Sequence, residues 1–274
     1  MVGRCEGRLQ AVTCLLTMEF DDMEKTEIDS ERKIALLIDG DNAQPSLLEN
    51  MLIELGKYGS ITIRRIFGDW TRQNMNGWKQ SLQSHAIQPV QQFAYTTGKN
   101  ATDSCMIIDA MDILHSDLVN SFCIVSSDSD YTRLATRIRE EGFFVIGIGA
   151  KKTPKSFVNA CNLFIFTENF ASKAVKGQTP KKKDVKAKGK EETVASSPLD
   201  MLKLAYDMAV GEDDWAELAV LGNYLRQIDP SFDSRTYGHK SLSTLIKSFS
   251  SKFILKYLDE SGPTTVYVKM RESK

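Results

Sequence analysis

The sequence has few of the residues that build nitrogen and sulfur metal sites. Its 274 residues include 3 histidines and 5 cysteines, and no two cysteines form a C-x-x-C pair. Neither a zinc site nor a disulfide framework is therefore indicated, and a reducing cytosol fits this cysteine usage best. No run approaches the ~20 consecutive apolar residues of a membrane span. Net charge is also missing: 35 Lys and Arg against 36 Asp and Glu leave −1. Bulk charge thus argues neither for nor against a nucleic acid partner, and the placement of the charges must decide. No internal repeat is visible.

What remains is ample for a folded protein. The composition is 42% hydrophobic and 26% charged, and the length allows one to two domains, each with a core of its own. The first residues, MVGRCEGRLQAVTCLLTMEF, place Arg4 and Arg8 before a short run from Ala11 to Met18. That run holds two threonines, lacks a small-residue cleavage site and leads into the acidic EFDDMEKTEIDSE, so it is not read as a secretion signal. Residues 1–30 are expected to form a disordered leader, with Met18 as an alternative start. A second break spans 171–198, where eight lysines and two prolines accompany almost no bulky apolar residue. Such a segment cannot bury enough surface to fold alone and reads as a flexible linker, with sequence-independent attraction for phosphates as an added property.

Between these breaks, over 31–170, short apolar runs alternate with helical patterns. KIALLID, SITIRRIF, AIQPVQQF, SFCIVSS, FFVIGIG and NLFIF read as strands; PSLLENMLIELGKYG, TRQNMNGWKQSLQSHA, TDSCMIIDAMDILHSD, DYTRLATRIREEG and KSFVNAC read as helices. The alternation predicts an α/β domain with a mainly parallel sheet covered by helices on both faces. Over 199–274 the rhythm changes to three amphipathic helices followed by two strands around DESGPT, the plan of a small winged-helix module.

In such a sheet, sites form beyond the carboxyl ends of the strands. The first strand delivers Asp39, Asp41 and Asn42; SFCIVSS delivers Asp128 and Asp130; the loop GKNATDS brings Asp103 to the start of a helix. Each aspartate alone is explained by a helix cap or a turn. Together they place four or five carboxylates at one sheet edge, where their mutual repulsion calls for a cation. Oxygen ligands without His or Cys point to Mg²⁺ or Mn²⁺, and the expected chemistry is attack of water on a phosphodiester. In that scheme Asp39 and Asp128 are direct ligands, Asp103 and Asp130 complete the shell or orient the water, and Asn42 hydrogen-bonds a ligand or the phosphate.

The stretches IDGDN, GKNATDSCMIIDAMD, CIVSSDSDYTRLATRIREEGFFVIGIG and KKTPKSFVNACNLFIF resemble, in order and spacing over about 33–168, an NYN domain of the PIN-like nuclease group. The resemblance implies a Mg²⁺-dependent ribonuclease fold, with the acidic set carried over as Asp39, Asp103, Asp128 and Asp130 and the family's Asn as Asn42. Asp41 falls at a position to which it assigns no role. The C-terminal stretch WAELAVLGNYLRQIDPSFDSRTYGHKSLSTLIKSF with the closing PTTVYVKM resembles an OST-HTH (LOTUS) domain, which implies binding of RNA, structured RNA included, or of a protein partner. Trp215, Leu218, Leu221, Leu225 and Phe232 are expected in its core, while Tyr237, Gly238, His239 and Lys240 precede a helix that such a scaffold presents to nucleic acid.

Further RNA contacts are expected at Trp70 and Arg72, as a stacking and phosphate pair, and at Lys151 and Lys152. GIGAKKT lacks the Walker glycine spacing, and His85 and His115 are read as structural. The leading expectation is a metal-dependent endoribonuclease that is cytoplasmic, or nuclear in a eukaryotic host through KKKDVKAKGK. A non-catalytic RNA-binding adaptor is the alternative. A DxD phosphatase with Asp39 as nucleophile and Asp41 as acid ranks lower, because it leaves Asp103 and the C-terminal module unexplained.

Overall fold

A computed structural model describes residues 32–93, 101–170, 197–211, 213–258 and 265–271. The expected leader, nearly all of the lysine-rich linker, GKN at 98–100 and the turn DESGPT lie outside the described residues.

The first strand, β1 (Lys33–Asp39), is buried from Ile34 onward. A strand that reads as an unbroken apolar run belongs inside a sheet covered on both faces, and β1 takes that central place. It pairs in parallel with β2 (Ser60–Gly68) on one side and β4 (Ser121–Val125) on the other. β3 (Gln88–Gln91) extends the sheet beyond β2, while β5 (Phe144–Gly149) and β6 (Leu163–Phe166) extend it beyond β4. The order β3-β2-β1-β4-β5-β6 is that of a doubly wound sheet, with helices on both sides. After β3 the chain returns to the far side of β1, so the strand order reverses between β1 and β4, and ligands bind at such a reversal.

The covering helices are α1 (Leu48–Leu55), α2 (Asn76–Ser84), α3 (Ala101–Leu114), α4 (Thr132–Glu140) and α5 (Lys155–Ala160). Three of them are entered through a 3-10 turn, Pro45–Leu47, Gln73–Met75 and Ser129–Tyr131. The strand read from SFCIVSS ends at Val125; the Ser126 amide still donates to Ile148 O of β5 at 3.0 Å, while the hydroxyls of Ser126 and Ser127 bond the loops beyond it. The Ser126 hydroxyl accepts from Asp128 N at 3.1 Å and that of Ser127 from Ala150 N at 2.9 Å.

The C-terminal module consists of α6 (Pro198–Ala209), α7 (Leu218–Ile228), a 3-10 turn at Ser234–Tyr237, α8 (Leu242–Ser248), β8 (Phe253–Leu258) and β9 (Thr265–Met270). Ser197 caps α6 by accepting from Asp200 N, and Ser241 with Thr244 forms a capping box on α8, each satisfying amides that a helix leaves open. The module has a third strand that periodicity does not reveal, β7 (Ala216–Glu217), which pairs with β9 and makes a sheet ordered β7-β9-β8. Leu221 and Leu225 are buried in the core with Leu202, Leu245 and Val268; Leu218 and Phe232 pack on its margin.

Candidate metal centre

The tip of β1 is a compact knot. Asp39 is fully buried, which an apolar strand end tolerates only if the carboxylate has hydrogen-bond donors. Its Oδ1 accepts from the backbone amides of Asp41 (3.2 Å) and Asn42 (3.4 Å), and its Oδ2 from the Asn42 side-chain amide (2.7 Å). Gly40 is needed between them: its N donates to Phe67 O at 2.9 Å, and a Cβ there would lie 2.6 Å from Met75 Cε and 2.7 Å from that same oxygen. The buried Trp78 donates its indole N–H to Gly40 O at 3.2 Å.

The tip of β4 is more open. Asp128 takes an extended conformation and caps the next 3-10 turn, its Oδ1 accepting from Asp130 N at 3.0 Å. Asp128 is half-buried and Asp130 exposed, whereas Tyr131, the next residue, is fully buried. That tyrosine anchors the turn from beneath while the two carboxylates stay accessible. Gly149 lets β5 pass close behind, since a Cβ on it would sit 2.6 Å from Ser126 O. Asp103 lies in the first turn of α3, as its sequence context predicts.

One carboxylate oxygen each from Asp103, Asp128 and Asp130 lies within 4.8 Å of the others. Opposite oxygens around a single Mg²⁺ at its usual bond length stand ~4.2 Å apart, so the three reach one ion with small side-chain movements. The donors are all hard oxygens, the set that Mg²⁺ and Mn²⁺ take. Among the described residues no other group of three potential ligands meets this criterion. Asp39 is not part of the group; its place is the adjoining knot with Asn42. The NYN resemblance gave Asp41 no role, and sequence reading missed Asn74, Thr102 and Ser126. Asn74 and Thr102 both bond Asp41, a meeting of three connections that no local pattern announces.

The predicted RNA contacts are dispersed. Trp70 is half-buried, donating its indole N–H to Val90 O (3.0 Å) and its backbone amide to Gln91 Oε1 (3.0 Å), which fixes the ring at the ends of β2 and β3. Arg72 is exposed, with Nε 3.5 Å from Asp69 Oδ2. Asp69 itself is buried and organises that loop, accepting from Thr71 N, Thr71 Oγ1 and Gln91 Nε2. Lys151 and Lys152 are exposed beyond β5, the Lys151 amide donating to the Glu168 carboxylate.

In the C-terminal module Tyr237 has its ring 5.8 Å from that of Phe232 and packs on the core. Burial, with a smaller contribution from Asp229, raises its phenol above the ordinary value. Gly238 takes a left-handed conformation (φ 81°), His239 N donates to Ser234 O, and Lys240 is exposed. His85 bonds within its own helix end through Ser81 O and Ser84. No helix among the described residues is long and apolar enough to cross a membrane.

Fold and site together define a protein of two modules: a doubly wound parallel sheet with three carboxylates gathered beside its strand reversal, and a small helical module with an antiparallel sheet. The families follow from comparison: the model of the NYN domain matches residues 33–168 and that of the OST-HTH/LOTUS domain matches 192–262, so the chain carries both, in that order. NYN domains belong to a PIN-like nuclease superfamily, and both domain types are RNA-associated. No curated protein matches the chain. Among solved structures, a protein of unknown function from Vibrio parahaemolyticus RIMD 2210633 is similar over 50% of this chain and 93% of its own, at 18% identity and a TM-score of 0.41. An uncharacterized protein from Nitrosomonas europaea is similar over 36% of this chain and 93% of its own, at 28% identity and a TM-score of 0.26.

Proposed function

We propose that the chain is a metal-dependent endoribonuclease in which Asp103, Asp128 and Asp130 hold one or two Mg²⁺ or Mn²⁺ ions. The observation that carries the reading is the gathering of these three carboxylates, from two segments far apart in sequence, within an NYN domain. A bound divalent ion supplies charge stabilisation at the attacked phosphate and eases deprotonation of water near neutral pH. The chain's own residues do the rest. Asp128, rigid through its cap, and Asp103, on the first turn of α3, fix the ion. Asp130, the most exposed of the three, accepts a proton from the attacking water. Asp39 and Asn42 form the wall at the end of β1.

Arg72, Lys151 and Lys152 contribute phosphate contacts and Trp70 a face for a base. The C-terminal module holds RNA through Lys240 and His239, with Tyr237 shaping that loop from the core side. It is also the surface on which a protein partner would dock. What weighs against the phosphatase scheme is the full burial of Asp39 and its three hydrogen bonds, which leave no open face for a nucleophile.

The test is Mn²⁺-dependent cleavage of a labelled single-stranded RNA by wild type and by Asp128→Asn. The expected result is cleavage by wild type and a loss exceeding ~100-fold in the variant, beyond what removing an outer partner of a metal site costs. Binding of RNA by wild type without any cleavage would replace this reading with the adaptor.

A further inference from the structure

Asp41 stands next to the acidic group but outside it, and its two oxygens each face a different connection of the fold. Oδ1 accepts from Asn74 Nδ2 at 2.8 Å, and Oδ2 accepts from Thr102 Oγ1 at 3.3 Å. Asn74 belongs to the 3-10 turn that follows β2. Thr102 lies in the first turn of α3 and directly precedes Asp103. One exposed carboxylate therefore joins the loop after β1, the loop after β2 and the turn that carries Asp103.

The body of α3 has its own tether. Arg65 of β2 forms an ion pair with Asp109, six residues beyond Asp103 and so ~9 Å along the helix axis. Met106 and Ala110 bury the inner face of the same stretch. Those contacts hold the body of the helix to the sheet, and the Asp41 bridge adds a tether at its first turn through Thr102.

We infer that Asp41 is a positioning residue, whose carboxylate ties Asn74 to Thr102 and thereby sets where Asp103 meets Asp128 and Asp130. The inference rests on the nuclease reading in one respect, that these three carboxylates are the metal ligands. It gives the second aspartate of IDGDN a role different from both ligand and acid.

The experiment uses the full chain and Mn²⁺ alone as the probe, titrated calorimetrically against wild type, Asp41→Ala, Asp41→Asn and Thr102→Val. Amide hydrogen exchange along α3 and thermal melting are measured on the same samples. Loss of the bridge is expected to weaken Mn²⁺ binding about tenfold in Asp41→Ala and in Thr102→Val, the scale of removing an outer partner. It should also speed exchange in the first turn of α3 and leave the melting temperature near that of wild type. Asp41→Asn should bind close to wild type, because its amide still accepts from Asn74 and donates to the Thr102 hydroxyl.

Unchanged affinity in Asp41→Ala overturns the inference while leaving the nuclease reading intact. So does an Asp41→Asn variant as weak as Asp41→Ala, which would make the charge itself the active element, or weakened binding with no change in α3 exchange. A wild type that binds no Mn²⁺ overturns both readings together.

Discussion

β1 and β4 are adjacent parallel strands that end in carboxylates, yet the two ends are built in opposite ways. At β1 the first aspartate is fully buried, and its oxygens receive donors from the residues that follow it. At β4 the strand ends in two serines that bond the loops, and the aspartates come after them, capped but accessible. An aspartate that is the last residue of a strand, as Asp39 is of β1, is here drawn into the fold's own hydrogen bonding. One placed three or five residues beyond the strand, as Asp128 and Asp130 are after Val125, can be offered to a ligand. The acidic group accordingly draws on the β4 side and on α3, and the β1 end supplies its rigid neighbour.

The largest effect that would break this comparison is on stability. Asp39→Ala leaves the Asn42 side chain and two loop amides without their acceptor, which costs about 3 kcal/mol and lowers the melting temperature by about 10 °C. Asp128→Asn, which keeps a capping oxygen, should stay within about 1 kcal/mol of wild type. Equal melting temperatures for the two variants would show that the β1 knot is not structural.

A smaller effect tests the close packing beneath that knot. Gly40→Ala forces a methyl against Met75 Cε and the Phe67 carbonyl, an overpacking of about 2 kcal/mol, measurable by chemical denaturation. Full stability in that variant would mean that the β1 tip has room to shift.

The smallest effect sharpens the contrast through thiol chemistry. Burial pushes the Cys161 thiol up to about 12 from 9.0, and burial followed by the Asp109 charge raises that of Cys105, which is only half-buried on α3. The folded Cys161 keeps its proton where the unfolded chain loses it, so its contribution is complete below pH 9 and fades as pH rises toward 12. At pH 8, iodoacetamide followed by peptide mapping should modify Cys105 slowly and leave Cys161 intact until denaturant is added. Rapid modification of Cys161 in the folded chain would contradict the packing of α5.

Much of this was legible because it is local. KIALLID matches β1 at both ends, since a run covered on both faces needs no alternation and Gly40 stops it. Asp103 falls in the first turn of α3 as expected, and the alternation of strands and helices yields the parallel sheet. The misses are encounters between distant residues. The Asp41 bridge joins residues 33 and 61 positions away. β7 is two residues long and gains its identity only from β9. Tyr237, expected to face RNA, also packs its ring against Phe232, a contact that local sequence does not announce. The grouping of Asp103 with Asp128 and Asp130 was anticipated from residue types, whereas the burial of Asp39 in a knot of its own hydrogen bonds was not.

The position of β9 also bears on how the chain is born. In the large sheet the central strand, β1, is the first made, and each later strand can add to a seed already present. In the small sheet the central strand is the last made, and β7 and β8 have no partner in that sheet until residues 265–270 arrive. A ribosome releasing this chain therefore delivers one module that can assemble as it emerges and a second whose sheet closes only with its final strand.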